Sequence, residues 1–322
     1  MRKSKRDFLP VKTIFLVLLI SLSFVSCNNS AQKQEELNKE YCTSFLELYK
    51  QNPKDPQLEK ILNKWEKKAP LGDFYKCSYF YYYDQSLTLE DNSNIVFPEG
   101  HTCIYDGTTL KYKDATIDIA TLKKAIGFLN EGLEKYPTRI DLWDKLVYIL
   151  REMTSLENLT ESLLGFIDNV EYGKVNNLKW YMDFNEPVQN METEKTYEQF
   201  LYGFVKTNTL YILQSEKYEK AQAYKSCEKI FRRVIEVFPE NSDAYNELGY
   251  CMAKREDALP LYEKAYELDN SNKVAATNAA ITSYILKDSE KSDKYMKIIY
   301  DSGDEEEIKY LEDYIKWAEG IK

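Results

Sequence analysis

Residues 243–272 read DAYNELGYCMAKREDALPLYEKAYELDNSN, and their apolar positions recur at helical intervals. Ala258, Tyr262 and Ala265 are spaced by four and then three residues, and Asn270 follows five later. Intervals of three and four put side chains on one face of a helix, and a proline or asparagine just beyond ends it. Two other segments repeat the same intervals: Ala125, Leu129, Gly132 and Pro137, and Cys227, Phe231, Val234 and Pro239. Six residues after each stop stands another constant position, occupied by Trp143, Tyr245 and Ala276. Beyond it come the adjacent pairs Leu146-Val147, Leu248-Gly249 and Ala279-Ala280. A large residue followed by an apolar and small pair lets a second helix approach the first closely.

The aromatic, Leu-Gly, Ala, aromatic, Ala order in 243–272 resembles the tetratricopeptide repeat, with a turn about three residues short. The next unit runs at the full period through Ala276, Ala279, Ala280, Ser292, Met296 and Ile299. The charged stretch 301–322 reads as a terminal helix that covers the last apolar face, which a solenoid requires. The resemblance is strong over 220–300, moderate over 119–150 and faint elsewhere. It implies an all-α fold, a right-handed solenoid of about four helix pairs.

Outside these blocks the reading is local. Residues 156–170 form the second helix of the Trp143 unit, 171–188 an irregular connection, and 193–214 a long amphipathic helix with Tyr197, Phe200, Leu201 and Phe204 on one face. Toward the N-terminus, 34–51 and 56–68 read as helices, and 72–84 contains the aromatic run Tyr79-Phe80-Tyr81-Tyr82-Tyr83. Residues 103–112 (CIYDGTTLKY) read as a small hairpin turning at Asp106-Gly107, inside an insertion over 90–116.

The beginning of the chain is of another kind. Arg2, Lys3, Lys5, Arg6 and Lys12 precede the apolar run 13–25 (TIFLVLLISLSFV). Thirteen helical residues cover only about 20 Å, short of a hydrocarbon core of roughly 30 Å, so the segment reads as an export signal. Phe24-Val25-Ser26-Cys27 resembles the bacterial lipobox, with Phe24 where leucine is commoner. The resemblance implies cleavage before Cys27 and acylation of its thiol. Asn28 rather than aspartate after that cysteine favours the outer membrane, and the periplasmic face is expected. The expected organisation is therefore a signal peptide over 1–26, a flexible tether over 27–35, N-terminal helices with the hairpin insertion over 36–118, and repeats with their terminal helix over 119–322.

The formal net charge of -10 becomes about -14 once residues 1–26, with five basic residues and one acidic one, are removed. An acidic body repels phosphate backbones, which argues against nucleic acid as partner. Of the six cysteines, Cys27 is assigned to lipid, Cys77 and Cys103 flank the insertion as a candidate disulfide, and Cys227 and Cys251 fall on core positions. No cysteines have zinc spacing and no glycine loop suits a phosphate, so neither metal nor cofactor is expected. His101 is the only histidine. A catalytic dyad would have to join it to Cys103, and an exposed loop histidine beside a structural cysteine is the simpler reading.

Two binding functions remain. The 27 tyrosines and a similarity in plan to outer-membrane starch-utilisation lipoproteins raise glycan binding, with Tyr79–Tyr83 as a stacking platform. Those proteins are longer and bind through large insertions absent here. The alternative is a scaffold that binds protein. The repeat resemblance implies a concave groove whose residues stand one and five positions after the large one, namely Asp144 and Tyr148, Asn246 and Tyr250, and Thr277 and Ile281. These are aromatic and polar, without the lysines and arginines that clamp a terminal carboxylate, and suit an extended peptide or a partner helix.

Overall fold

A computed structural model describes residues 11–89, 104–105, 109–112, 115–153, 155–169, 179–180, 189–190 and 194–320. Among them are thirteen helices and two small antiparallel sheets. The helices form antiparallel pairs of tetratricopeptide type, as expected. The chain divides into two compact units at Tyr136/Pro137, after the Ala125 helix, where the sequence reading set the boundary before it.

The first unit begins with α1 (Val11–Gln51) and α2 (Pro56–Lys68), followed by α3 (Gly72–Ser86) and α4 (Ile119–Lys135). The residues read as a tether are part of α1 rather than irregular. Ala31, Gln32, Lys33, Gln34, Glu35 and Glu36 all favour helix, and neither glycine nor proline interrupts them. Between α2 and α3 the chain turns at Pro70, and Trp65 lies fully buried, its indole N–H donating to Asn38 Oδ1 at 3.1 Å. Asn38 in turn donates to Asp73 Oδ2 at 2.9 Å, so α1, α2 and α3 share one buried polar chain.

The expected hairpin is present as β2 (Ile104–Tyr105) against β3 (Thr109–Tyr112), with Ile104 opposite Lys111 and Tyr105 opposite Leu110. It belongs to a larger sheet, ordered β1-β4-β3-β2, that adds β1 (Leu87–Leu89) and β4 (Ala115–Asp118). Leu87 faces Ile117 across it and both are buried, which gives the small sheet an apolar edge. Asp118 ends β4 and caps α4, accepting from Thr121 N at 2.7 Å.

The second unit holds α5 (Ile140–Met153), α6 (Leu156–Asn169), the short strands β5 (Lys179–Trp180) and β6 (Gln189–Asn190), and α7 (Glu194–Gln214). The series continues with α8 (Lys220–Val237), α9 (Ser242–Cys251), α10 (Arg255–Leu268), α11 (Lys273–Leu286), α12 (Ser289–Ser302) and α13 (Glu305–Ala318). The connection read as irregular therefore carries one two-stranded ladder, Lys179 opposite Asn190. Asparagine or aspartate opens four of the last five helices, α10 being the exception: Asn241 accepts from Ala244 N, Asn272 from Ala275 N, Asp288 from Lys291 N and Asp304 from Glu307 N.

The shared spacing becomes packing in two ways. A Cβ added at Gly249 would lie 2.6 Å from Tyr262 Cε1, so α9 and α10 touch through a bare glycine and an aromatic ring. In α5 and α6 the roles are exchanged, with the Trp143 indole lying over Gly165. In α11 the buried Ala275, Ala276, Ala279 and Ala280 leave room for α10 on one side and α12 on the other. Ser292 and Ile299 of α12 are buried as the spacing predicts, while Tyr295 rather than Met296 is the large side chain in the interior.

Candidate functional site

The first helices of the pairs, α5, α7, α9 and α11, are joined to their successors by side-chain bonds. Lys206 of α7 meets Glu247 of α9 at 2.9 Å. Asn278 of α11 donates to Asn246 Oδ1 of α9 at 2.9 Å. Lys273 meets Asp304 at 3.0 Å, and Thr277 Oγ1 donates to Glu307 Oε2 at 2.7 Å, linking α11 to α13.

These bonds sort the six expected groove residues. Tyr148 is 43% exposed and Tyr250 54% exposed, so both rings face solvent. Asp144 is half-buried and pairs with Lys145 at 3.1 Å. Asn246 is buried, its side chain committed to Asn278. Thr277 and Ile281 need correcting: they are 1% and 5% exposed and are not groove residues. The terminal helix lies over α11, so Ile281 shares a core with Leu311, and the Thr277 hydroxyl is taken by Glu307.

An open hollow of about 350 Å³ lies between α5 and α7, lined by Asp144, Val147, Tyr148 and Arg151 on one wall and by Gln199, Gly203, Phe204 and Thr207 on the other. A Cβ at Gly203 would meet nothing within 4 Å, so the α7 wall is open there. Phe204 is fixed from behind by Phe166, with ring centroids 4.5 Å apart. The Arg151 guanidinium stacks on Tyr211 at 4.0 Å, which positions a cation beside the hollow. Sequence reasoning placed Phe204 on an apolar face but missed Gly203 and Thr207. The available signal was a glycine inside a helix with no obvious packing role.

Further along, Tyr250 packs against Tyr224, whose hydroxyl is pushed up to about 12 by Tyr250 and then by burial. Their rings lie 5.9 Å apart. Tyr310 of α13 is an exposed neighbour the sequence did not single out; burial raises its hydroxyl, and Tyr314 and Tyr250 add to the effect. Tyr202 of α7 is buried, its hydroxyl raised by desolvation and by the nearby Glu247 and Asp243. The surface is thus tyrosine-rich, with acidic groups from α5, α9 and α13 spaced along it.

The other candidate residues are less engaged with a site. In the aromatic run, Tyr79 and Tyr81 are buried, Tyr82 stacks on Phe128 at 5.4 Å beneath the Lys124 ammonium, and Phe80 packs on Tyr49 at 6.1 Å. The run is held between α1 and α4 instead of forming a continuous platform. His101 and Cys103 lie outside the described residues, as does the Cys27 side chain. Cys77 is a buried free thiol beside Cys42. Among the described residues no three His, Cys, Asp or Glu side chains gather as metal ligands, and no helix is long and apolar enough to cross a membrane.

No family model matches the chain, and no curated protein matches it. Among solved structures it is similar to the crystal structure of MamA, at 16% identity over 58% of this chain and 91% of that one, with a TM-score of 0.34. It is also similar to Pseudomonas aeruginosa PilF, at 11% identity over 87% of this chain and 99% of that one, with a TM-score of 0.35. Scores of this size add nothing to the repeat assignment, which rests on this chain's own spacings and packing.

Proposed function

We propose that this chain is an exported lipoprotein, anchored through Cys27, that holds an extended segment or helix of another envelope protein along α5, α7 and α9. The observation that carries the reading is the hollow between α5 and α7, with Tyr148 exposed at its rim and Tyr250 exposed further along the same series of helices. Tyrosines supply large contact area at low cost in lost rotamers, and such rings dominate protein interfaces. Buried positions between them weld the helices, so the surface is rigid before a partner arrives, which limits the entropy lost on binding. The acidic body favours a partner segment carrying lysine or arginine. The leader and Asn28 favour the outer membrane, and the position of the first acidic residues behind Cys27, only at Glu35 and Glu36, favours its periplasmic face.

The test joins the two parts of the proposal. Cross-linking in intact cells followed by mild envelope extraction is expected to recover a protein partner with the native chain, and at least tenfold less with Tyr148→Ala or Tyr250→Ala. Recovery of no protein, together with binding of the purified chain to oligosaccharides, would sink the scaffold reading in favour of glycan binding. Separately, Cys27→Ser is expected to move the mature chain from the membrane to the soluble fraction.

A further inference from the structure

Three consecutive polar side chains of α7 are turned back on their own helix. Thr207 Oγ1 donates to Gly203 O at 2.9 Å, Asn208 Nδ2 to Phe204 O at 2.8 Å and Thr209 Oγ1 to Val205 O at 3.0 Å. Thr207 and Asn208 also line the hollow between α5 and α7. A carbonyl only accepts, so the amide nitrogen of Asn208 must face Phe204 O, and the amide oxygen points elsewhere. That oxygen has no hydrogen-bond partner among the described residues, although Asn208 is only 4% exposed. It is not sealed in the core either, so its lone pairs open on the hollow. Native structures leave few acceptors bare in such surroundings. Here the missing donor would arrive with a ligand.

The walls restrict what that ligand can be. Val147, Tyr148 and Phe204 present apolar surface, which suits a largely apolar group. Arg151 in the α5 wall repels an inserted lysine or arginine but attracts the face of an aromatic ring. The oxygens of Asp144, Thr207 and Asn208 line the same space and repel a carboxylate. The volume of about 350 Å³ is near the lower end of the roughly 300–1,000 Å³ of ligand pockets, room for one large side chain and not for a whole helix. An indole meets every condition. Its body is apolar and uncharged, its ring is the best partner for a cation, and its N–H donates and never accepts. A tyrosine would bring one more oxygen to a space already rich in acceptors. The walls are also set in advance, with Phe166 behind Phe204 at 4.5 Å and Tyr211 under Arg151 at 4.0 Å.

We propose that this hollow seats a tryptophan of the bound segment, with the indole N–H donating to Asn208 Oδ1 and the ring lying between Tyr148 and Phe204. The inference rests on the scaffold reading, which supplies the segment, and names the side chain by which that segment is anchored. The lysines or arginines that suit the acidic body flank the tryptophan and stay outside the hollow.

The test uses the purified mature chain with indole and 1-methylindole as probes, followed by ligand-observed NMR. Indole should bind with a dissociation constant of roughly 1 mM, as expected of so small a fragment. Without the N–H, 1-methylindole should bind about 5–10-fold more weakly. Asn208→Leu keeps the size of the side chain without its acceptor and should make the two probes equal. Gly203→Leu starts its side chain in open space, so it should fill the hollow and abolish binding of both while the chain stays folded by circular dichroism. Equal binding of the two probes to the native chain, which needs no variant, overturns the proposal. So does absence of binding, a preference that survives Asn208→Leu, or undiminished binding to Gly203→Leu. Capture of the partner keeps the two readings apart. Indole added before cross-linking should reduce capture far more than 1-methylindole does. Capture that is lost in Tyr148→Ala but survives Gly203→Leu refutes the tryptophan anchor and leaves the scaffold standing. Discrimination of the probes with no protein captured refutes the scaffold and the tryptophan with it, and leaves a site for a free indole compound.

Discussion

An alanine at Gly249 tests the helix contact on which the repeat assignment rests. Its Cβ would stand 2.6 Å from Tyr262 Cε1, 2.9 Å from Cδ1 and 3.0 Å from Cζ. Carbon atoms ordinarily settle at about 3.5–4.0 Å, so the ring or the whole of α10 must withdraw by about 1 Å. Tyr262 is buried among Ala258, Leu259, Ala279 and Ala280, which leaves it little room to move. Overpacking of this kind costs about 1–3 kcal/mol, while alanine recovers about 1 kcal/mol over glycine in a helix. The crowding is severe, so the net loss should be about 1–2 kcal/mol, or roughly 3–6 °C in melting temperature. Urea unfolding followed by circular dichroism measures it, with an unchanged slope showing that the unfolded state is unaffected. Gly127 supplies the opposite sign: it is exposed on α4 and a Cβ there would meet nothing within 4 Å. Gly127→Ala should therefore stabilise by up to about 1 kcal/mol. If Gly249→Ala is neutral or stabilising, or if both substitutions destabilise alike, the packing of α9 on α10 is wrong.

Other consequences can be measured on the same chain. Ile281→Ala should cost about 2–4 kcal/mol, because Ile281 sits in the core beneath α13; a surface residue of a groove would cost almost nothing. Tyr148→Ala should leave stability within about 0.5 kcal/mol of the native value while weakening partner capture, which separates binding from folding. Acid sensitivity should also shift at α13. The bond from Lys273, with help from the helix amides, holds Asp304 below the usual carboxylate range. Its contribution is complete above the ordinary carboxylate pKa and disappears as pH falls through the lower folded value. Urea midpoints followed downward from neutral pH should accordingly show a shallower acid loss in Asp304→Asn; an unchanged profile would refute that role.

Much of the fold was legible because it is written locally. A period of four, three and five residues identifies the buried stripe of α4, α8 and α10, and the stops at Pro137, Pro239 and Asn270 mark where each helix ends. The Asp106-Gly107 turn signalled β2 and β3. The strands β1 and β4 escaped notice because their pairing joins residues on opposite sides of the insertion, which no short window contains.

The candidate site divides along the same line. Sequence, through its resemblance to the repeat, placed Tyr148, Tyr250, Thr277 and Ile281 on equivalent faces of α5, α9 and α11, one or five residues after the constant position of each unit. Tertiary structure alone decided that the first two face solvent while α13 covers the others, because exposure depends on which distant helix arrives to pack.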